Sequence, residues 1–261
     1  RMSDLFIETR GRGAAHVVLL HGWAMHGGVF APLAERLEGR CTLHLVDLPG
    51  HGRSRDSTLA LAAPDCARAI ARRTPPGVWL GWSLGGLIAL QAALDFPQQV
   101  RALAMLNASP RFVRGEDWPH AISPEILRQF ATDLRTDYRD TLDRFLALEA
   151  LGSDCAQQDL RRLRADAFSD HPPALRALCA GLDVLEQIDL RNRLPELRQP
   201  SAWLAGRRDR LVPWQAMQWS ARQCGGAFTR IECGGHAPFI GHADEVVAAL
   251  QALPEWTGAP A

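Results

Sequence analysis

Six short apolar runs set the rhythm of the chain. His16–Leu20, Thr42–Val46, Val78–Gly81, Ala102–Leu106, Ala202–Ala205 and Phe228–Ile231 are rich in β-forming or small apolar residues and mostly lack polar alternation. Runs of this kind suit strands buried on both faces, as in a parallel sheet. Helical stretches separate them, the clearest being the apolar segment Leu87–Leu94. Strand–helix alternation predicts an α/β chain with a doubly wound, mostly parallel sheet. Between about Pro110 and Leu190 the rhythm changes. Leu127, Phe130, Leu134, Tyr138, Leu142 and Phe145 recur every three or four positions, which is a helical period. Two more helical stretches follow, from Cys155 to Phe168 and just before Ile188. We therefore expect a core domain built from residues 1–109 and 191–261, with residues 110–190 inserted as a helical lid. If the first lid helix is continuous, Arg128, Arg135 and Arg139 share one face. The tail after Leu253 is expected to fray, and Arg1 ahead of Met2 reads as an appended residue.

The third apolar run leads straight into Gly81-Trp82-Ser83-Leu84-Gly85, a G-x-S-x-G pattern between a strand and an apolar helix. Where a strand turns into a helix this sharply, the central residue is strained and its side chain is left exposed. The flanking glycines make room for the turn. Ser83 is therefore the expected nucleophile. The N–H of Leu84 opens the following helix and faces the place where an oxyanion would form.

Two later loops supply its partners. His236 lies in Gly234-Gly235-His236-Ala237-Pro238, just after the last strand-like run, and is the expected general base. Asp209 follows the Ala202–Ala205 run and is the expected orienting acid. Its three arginine neighbours, Arg207, Arg208 and Arg210, leave a surface ion pair as the other reading. Asp183 is the next acid by position, but it falls in the helical insertion. The order Ser, Asp, His suits a hydrolase of this architecture. His21-Gly22-Trp23 follows the first run, where the second oxyanion donor, the N–H of Trp23, is expected. His21 itself reads as a structural histidine. The Trp23 ring has two readings, core filler or wall of an acyl pocket.

Composition narrows the field. Formal net charge is zero, so no global field draws in nucleic acid or an anionic membrane. All 29 basic residues are arginine, which removes lysine from any catalytic role. The six cysteines form no C-x-x-C pair and none stands at metal-ligand spacing from a histidine. We expect reduced thiols in a cytoplasmic monomer, with no leader, no membrane span, no metal and no organic cofactor.

The segment Leu43–Ser54, with Asp47-Leu48-Pro49-Gly50-His51-Gly52, is typical of α/β-hydrolases. Leu19–Trp23, Trp79–Gly86, Arg144–Leu148, Gly181–Leu185 and His236–Ile240 are more specific. Together they resemble the carboxylesterase family of biotin synthesis, over nearly the whole chain from Leu5 to Leu253. The resemblance implies cleavage of the methyl ester of a pimeloyl chain carried on acyl-carrier protein. It also implies substrate contacts at Trp23, Ser83, Leu84, Phe145, Leu146, Ala147, Leu148, Glu149 and His236. Glu149 departs from the family pattern, where glutamine is expected, and would bring a carboxylate close to the ester.

An acidic carrier would favour a basic lid patch, for which Arg139, Arg144, Arg161 and Arg162 are candidates. Against this, Arg111–Asp170 contains nine arginines and twelve acids. A broad short-chain carboxylesterase fits the motifs equally well, and a carbon–carbon bond hydrolase with the same triad stays open. A non-catalytic binding protein on this scaffold would be expected to lack a triad member. A dehalogenase or epoxide hydrolase would carry Asp at position 83.

Overall fold

The computed structural model describes residues 5–251 and residue 253. Arg1, Met2 and the tail after Leu253 lie outside it. Seven strands form one sheet: β1 (Ile7–Arg10), β2 (Ala15–Leu20), β3 (Cys41–Val46), β4 (Gly77–Trp82), β5 (Val100–Leu106), β6 (Ser201–Gly206) and β7 (Ala227–Ile231). Their spatial order is β1-β3-β2-β4-β5-β6-β7. Every pairing is parallel except that of β1 with β3. The expected doubly wound α/β-hydrolase sheet is present, with an antiparallel edge strand that the apolar runs did not announce.

Among the described residues, ten α-helices accompany the sheet. Those of the core are α1 (Ala31–Leu37), α2 (Ala63–Ala71), α3 (Leu84–Asp95), α8 (Trp214–Cys224), α9 (Pro238–Gly241) and α10 (Ala243–Leu250). The other four, α4 (Pro124–Thr136), α5 (Tyr138–Ala150), α6 (Ala156–Ala167) and α7 (Leu175–Gln187), follow one another between β5 and β6. On either side of this helical stretch, the Leu190 N–H donates to the Pro110 carbonyl at 2.9 Å.

Burial explains the apolar sequence of α3. Every residue from Leu84 to Ala93 is buried, so this helix has no solvent face to mark with charges. Strands β4 and β6 are likewise buried along their whole length. Trp79, Trp82 and Trp203 are fully buried there. At about 25 cal/mol per Å², large side chains of this kind carry much of the hydrophobic stabilisation.

The periodicity from Leu127 to Phe145 belongs to two helices, not one. The chain breaks at Asp137 (φ −144°, ψ 81°), whose side chain accepts from the Asp140 N–H and caps α5. Arg128 and Arg135 therefore stand on α4 and Arg139 on α5, and the expected common face does not exist.

Candidate active site

The carboxyl ends of the central strands converge on one point, as is usual for ligand sites in open α/β sheets. Strand β4 ends at Ser83, which sits at φ 54°, ψ −120°. A non-glycine residue at positive φ costs about 1–3 kcal/mol and is kept only where its surroundings hold it. The glycines of the elbow are required by contact. A Cβ on Gly81 would stand 2.4 Å from the Gly85 carbonyl oxygen, and one on Gly85 would stand 2.2 Å from that of Leu20.

Ser83 Oγ lies 2.9 Å from His236 Nε2, and His236 Nδ1 lies 2.8 Å from Asp209 Oδ2. The structure thus brings together the three residues expected from separate loops. All three are buried, with Ser83 only 3% exposed. Asp209 makes no arginine ion pair among the described residues, despite its three arginine neighbours. Its Oδ1 accepts from the Leu211 and Val212 N–H groups at 2.8 and 3.0 Å. Asp183 stands exposed on α7.

Sequence reasoning missed two residues of this cluster. Asn107, just past β5 at φ 45°, is fully buried. Its Nδ2 donates to Asp209 Oδ2 at 2.7 Å and to the Gly235 carbonyl at 3.1 Å. It thereby ties the acid to the loop that carries the histidine. A lone polar residue ending an apolar strand was its only signal. Trp82 Nε1 donates to the His236 carbonyl at 2.8 Å, which fixes the same loop to the elbow.

Leu84 begins α3, so its N–H is among those with no acceptor inside the helix. The loop after β2 closes on the elbow so tightly that a Cβ on Gly22 would stand 3.2 Å from Ser83 Cβ. This brings the backbone entering Trp23 up to the serine. The Trp23 ring is fully buried, its Nε1 donating to the Leu178 carbonyl of α7 at 2.8 Å. It meets Phe145 of α5 edge-on at 4.5 Å. The ring packs in the core and ties it to α5 and α7. His21 is structural, as expected. Its Nε2 accepts from the Leu48 N–H at 2.9 Å, leaving Nδ1 to donate to the Gly22 carbonyl at 2.8 Å. Burial, then neighbouring His51, holds its pKa well below the ordinary histidine value. Burial likewise pushes His51 down to about 4.

The expected contact run on α5 does not turn to one side. Phe145, Leu146 and Glu149 are buried and Leu148 is half-buried, but Ala147 is exposed. Five consecutive helical residues span more than a full turn, so they cannot all share one face. Glu149 also differs from expectation in its charge. It is fully buried, and neither carboxyl oxygen has a hydrogen-bond partner among the described residues. Burial first, then the nearby charge of Asp209, raises its carboxyl well above the ordinary range, so the neutral acid is favoured over a carboxylate.

This sets a pH signature. A folded protein that keeps a proton the unfolded chain releases loses stability as pH rises, by up to about 1.4 kcal/mol per pH unit for one group. Relative to the near-isosteric Glu149→Gln variant, the parent is therefore expected to weaken as pH climbs above the ordinary glutamate range. Urea unfolding of both proteins across a pH series checks this. A stability difference that stays flat with pH contradicts it.

The expected carrier-facing arginines are largely engaged within the insertion. Arg144 pairs with Asp133 at 2.7 Å and Arg162 with Asp166 at 3.0 Å. Arg139 stacks over Phe168 at 4.6 Å. Arg161 is exposed and makes no ion pair among the described residues. No described helix is long and apolar enough to cross a membrane.

Fold and site together define a hydrolase. The chain belongs to the α/β-hydrolase fold family, whose sequence model matches residues 15–243. Solved structures bear out the fold. An esterase from Exiguobacterium antarcticum superposes with TM-score 0.81 at 21% identity, covering 96% of this chain and 97% of that one. An enol-lactonase from Burkholderia xenovorans superposes with TM-score 0.83 at 17% identity, covering 97% and 98%.

Within that fold, the chain belongs to the pimeloyl-[acyl-carrier protein] methyl ester esterase family. It is 57% identical over 248 residues to the protein of that name from Stenotrophomonas maltophilia, covering 95% of each chain. It is also 57% identical to its counterpart from Xanthomonas oryzae pv. oryzae, covering 95% of this chain and 97% of that one.

Proposed function

We propose that this protein hydrolyses the methyl ester of pimeloyl-[acyl-carrier protein], giving the free acid on the carrier and methanol. The observation that carries the chemistry is the unbroken hydrogen-bonded series from Asp209 through His236 to Ser83 at a strained elbow. The likeness to named relatives over 95% of the chain supports the substrate.

In this reading Ser83 Oγ attacks the ester carbonyl while His236 Nε2 takes its proton. Asp209 holds the imidazole with Nδ1–H toward itself and stabilises the imidazolium. The N–H groups of Trp23 and Leu84 receive the oxyanion. His236 returns the proton to the departing methoxide, and methanol leaves an acyl-enzyme. Water, deprotonated by His236, then attacks the acyl carbon and restores Ser83.

The carrier holds one end of the pimeloyl chain, so the methyl ester end must reach the buried serine while the carrier stays outside. Residues 110–190 then act as a lid over a core made of residues 1–109 and 191–261. Phe145, Leu146, Leu148 and Glu149 of α5, with Trp23, line the acyl path in this reading. Expression of this chain is expected to restore biotin-independent growth to a strain lacking its own esterase of this kind. No growth, from protein that still cleaves a p-nitrophenyl ester, would instead support a broad short-chain esterase.

We assign carrier docking to Arg139, Arg144, Arg161 and Arg162. The ion pairs of Arg144 and Arg162 are worth roughly 0.2–1 kcal/mol each, little enough to exchange for an incoming acidic surface. Neutralising Arg144 and Arg161 together is expected to raise KM for the carrier-bound ester, most at low salt, with a small soluble ester unaffected. Equal loss on both substrates would mean that the arginines hold the lid together.

A further inference from the structure

A second cluster of reactive side chains lies at the base of the helical insertion, apart from the triad. The turn after α5 supplies Asp154 and Cys155, and the junction of α9 and α10 supplies His242. The carboxylate oxygen, thiol sulfur and ring nitrogen that these residues offer all lie within 4.8 Å of one another. His242 Nε2 is 2.8 Å from Asp154 Oδ1. Its Nδ1 is 3.1 Å from Glu245 Oε1. With Nδ1–H given to Glu245, Nε2 presents its lone pair on the side of Asp154 and Cys155. A carboxylate on the far nitrogen is also how metal-bound histidines are usually oriented.

Two further groups lie beside it. The turn after β7 abuts the cluster, its Cys233 carbonyl accepting from the Asp154 N–H at 3.3 Å. Asp159 of α6 is only 2% exposed, and its Oδ1 has no hydrogen-bond partner among the described residues. A Cβ on Gly241 would stand 3.2 Å from Cys155 Sγ and 3.4 Å from that Asp159 oxygen. The thiol and the orphaned carboxylate oxygen therefore converge beside His242. These ligands come from stretches 88 residues apart, which is why residue spacing in the sequence gave no sign of a site.

From this geometry we propose that Asp154, Cys155 and His242 form a zinc-binding site, its fourth position open to Asp159 or to solvent. Mixed sulfur, nitrogen and oxygen donors in a small cluster suit Zn²⁺ in tetrahedral coordination and do not suit Mg²⁺ or Ca²⁺. The site joins the foot of the insertion to the catalytic loop. A Cβ on Gly235, the residue before His236, would lie 3.2 Å from Ser153. A bound ion fixes the end of α5, which carries Phe145 and Glu149, against the loop that holds the general base.

The test uses the full chain, stripped with a chelator and kept reduced, and titrated with Co²⁺ as a spectroscopic probe and then with Zn²⁺. One equivalent of Co²⁺ is expected to give the intense visible bands of a tetrahedral ion and a thiolate charge-transfer band, both abolished by Zn²⁺. Cys155→Ser and His242→Ala are each expected to weaken binding at least about tenfold. Cys179→Ser, at a thiol outside the cluster, is expected to leave it unchanged. Zn²⁺ is expected to raise the Tm of the parent but not that of Cys155→Ser. Retained hydrolysis of a small ester shows that each variant is folded. Absence of a thiolate band, or binding unaltered in both Cys155→Ser and His242→Ala, overturns the site.

Discussion

Replacing Ser83 with alanine is expected to abolish ester hydrolysis while leaving the fold intact. The hydroxyl's partner is His236 Nε2, and its removal uncovers no other buried polar group except that nitrogen. Backbone strain at φ 54° is not increased, because serine and alanine both carry a Cβ. Stability therefore changes little. Activity is expected to fall by a factor on the order of 10⁶, the loss seen when a serine nucleophile is removed from a comparable triad. Adding His236→Ala is expected to cost little more, because the groups act as a unit. Independent, multiplying losses would mean that His236 is not the base. A fluorophosphonate probe is expected to label the parent and not the Ser83→Ala protein.

Asp209→Asn is the second large effect, and the hydrogen bonds give its direction. Oδ1 accepts two backbone N–H groups, from Leu211 and Val212, so the one carbonyl oxygen of the new amide is drawn to that side. Its NH₂ group then faces His236 Nδ1 and Asn107 Nδ2, where an acceptor stood before. The histidine can respond only by moving its proton to Nε2, which points it at Ser83 and removes the base. A loss on the order of 10⁴ in kcat follows from the wrong tautomer. Nitrogen chemical shifts of the His236 ring check the tautomer directly. Near-full activity in Asp209→Asn would send the search to another acid.

What could be read before the structure followed physical rules with local signatures. The elbow was legible because a strand, a tight turn and a buried helix each leave a pattern, and all three coincide at Gly81–Gly85. His236 and Asp209 were legible because each follows a β-run in a turn. Strand β1 was not, because Ile-Glu-Thr-Arg at an edge has no need to be apolar. Asn107 was not, because its work is done through contacts 102 and 128 residues away. The break at Asp137 was hidden because apolar periodicity runs through it without a phase change, while the cap depends on a single aspartate. Exposure of Ala147 was not legible because a run of residues in sequence carries no mark of the rotation of the helix. Charge on Glu149 followed from residue type, whereas burial decides it.

The most direct test of the account incubates the purified protein with pimeloyl-[acyl-carrier protein] methyl ester and follows the intact carrier by mass spectrometry. The account predicts that the carrier-bound chain loses one CH₂ in mass as methanol appears in equal amount, catalytically with the parent and undetectably with Ser83→Ala. A carrier whose mass stays unchanged, while the same preparation hydrolyses a small p-nitrophenyl ester, would contradict it.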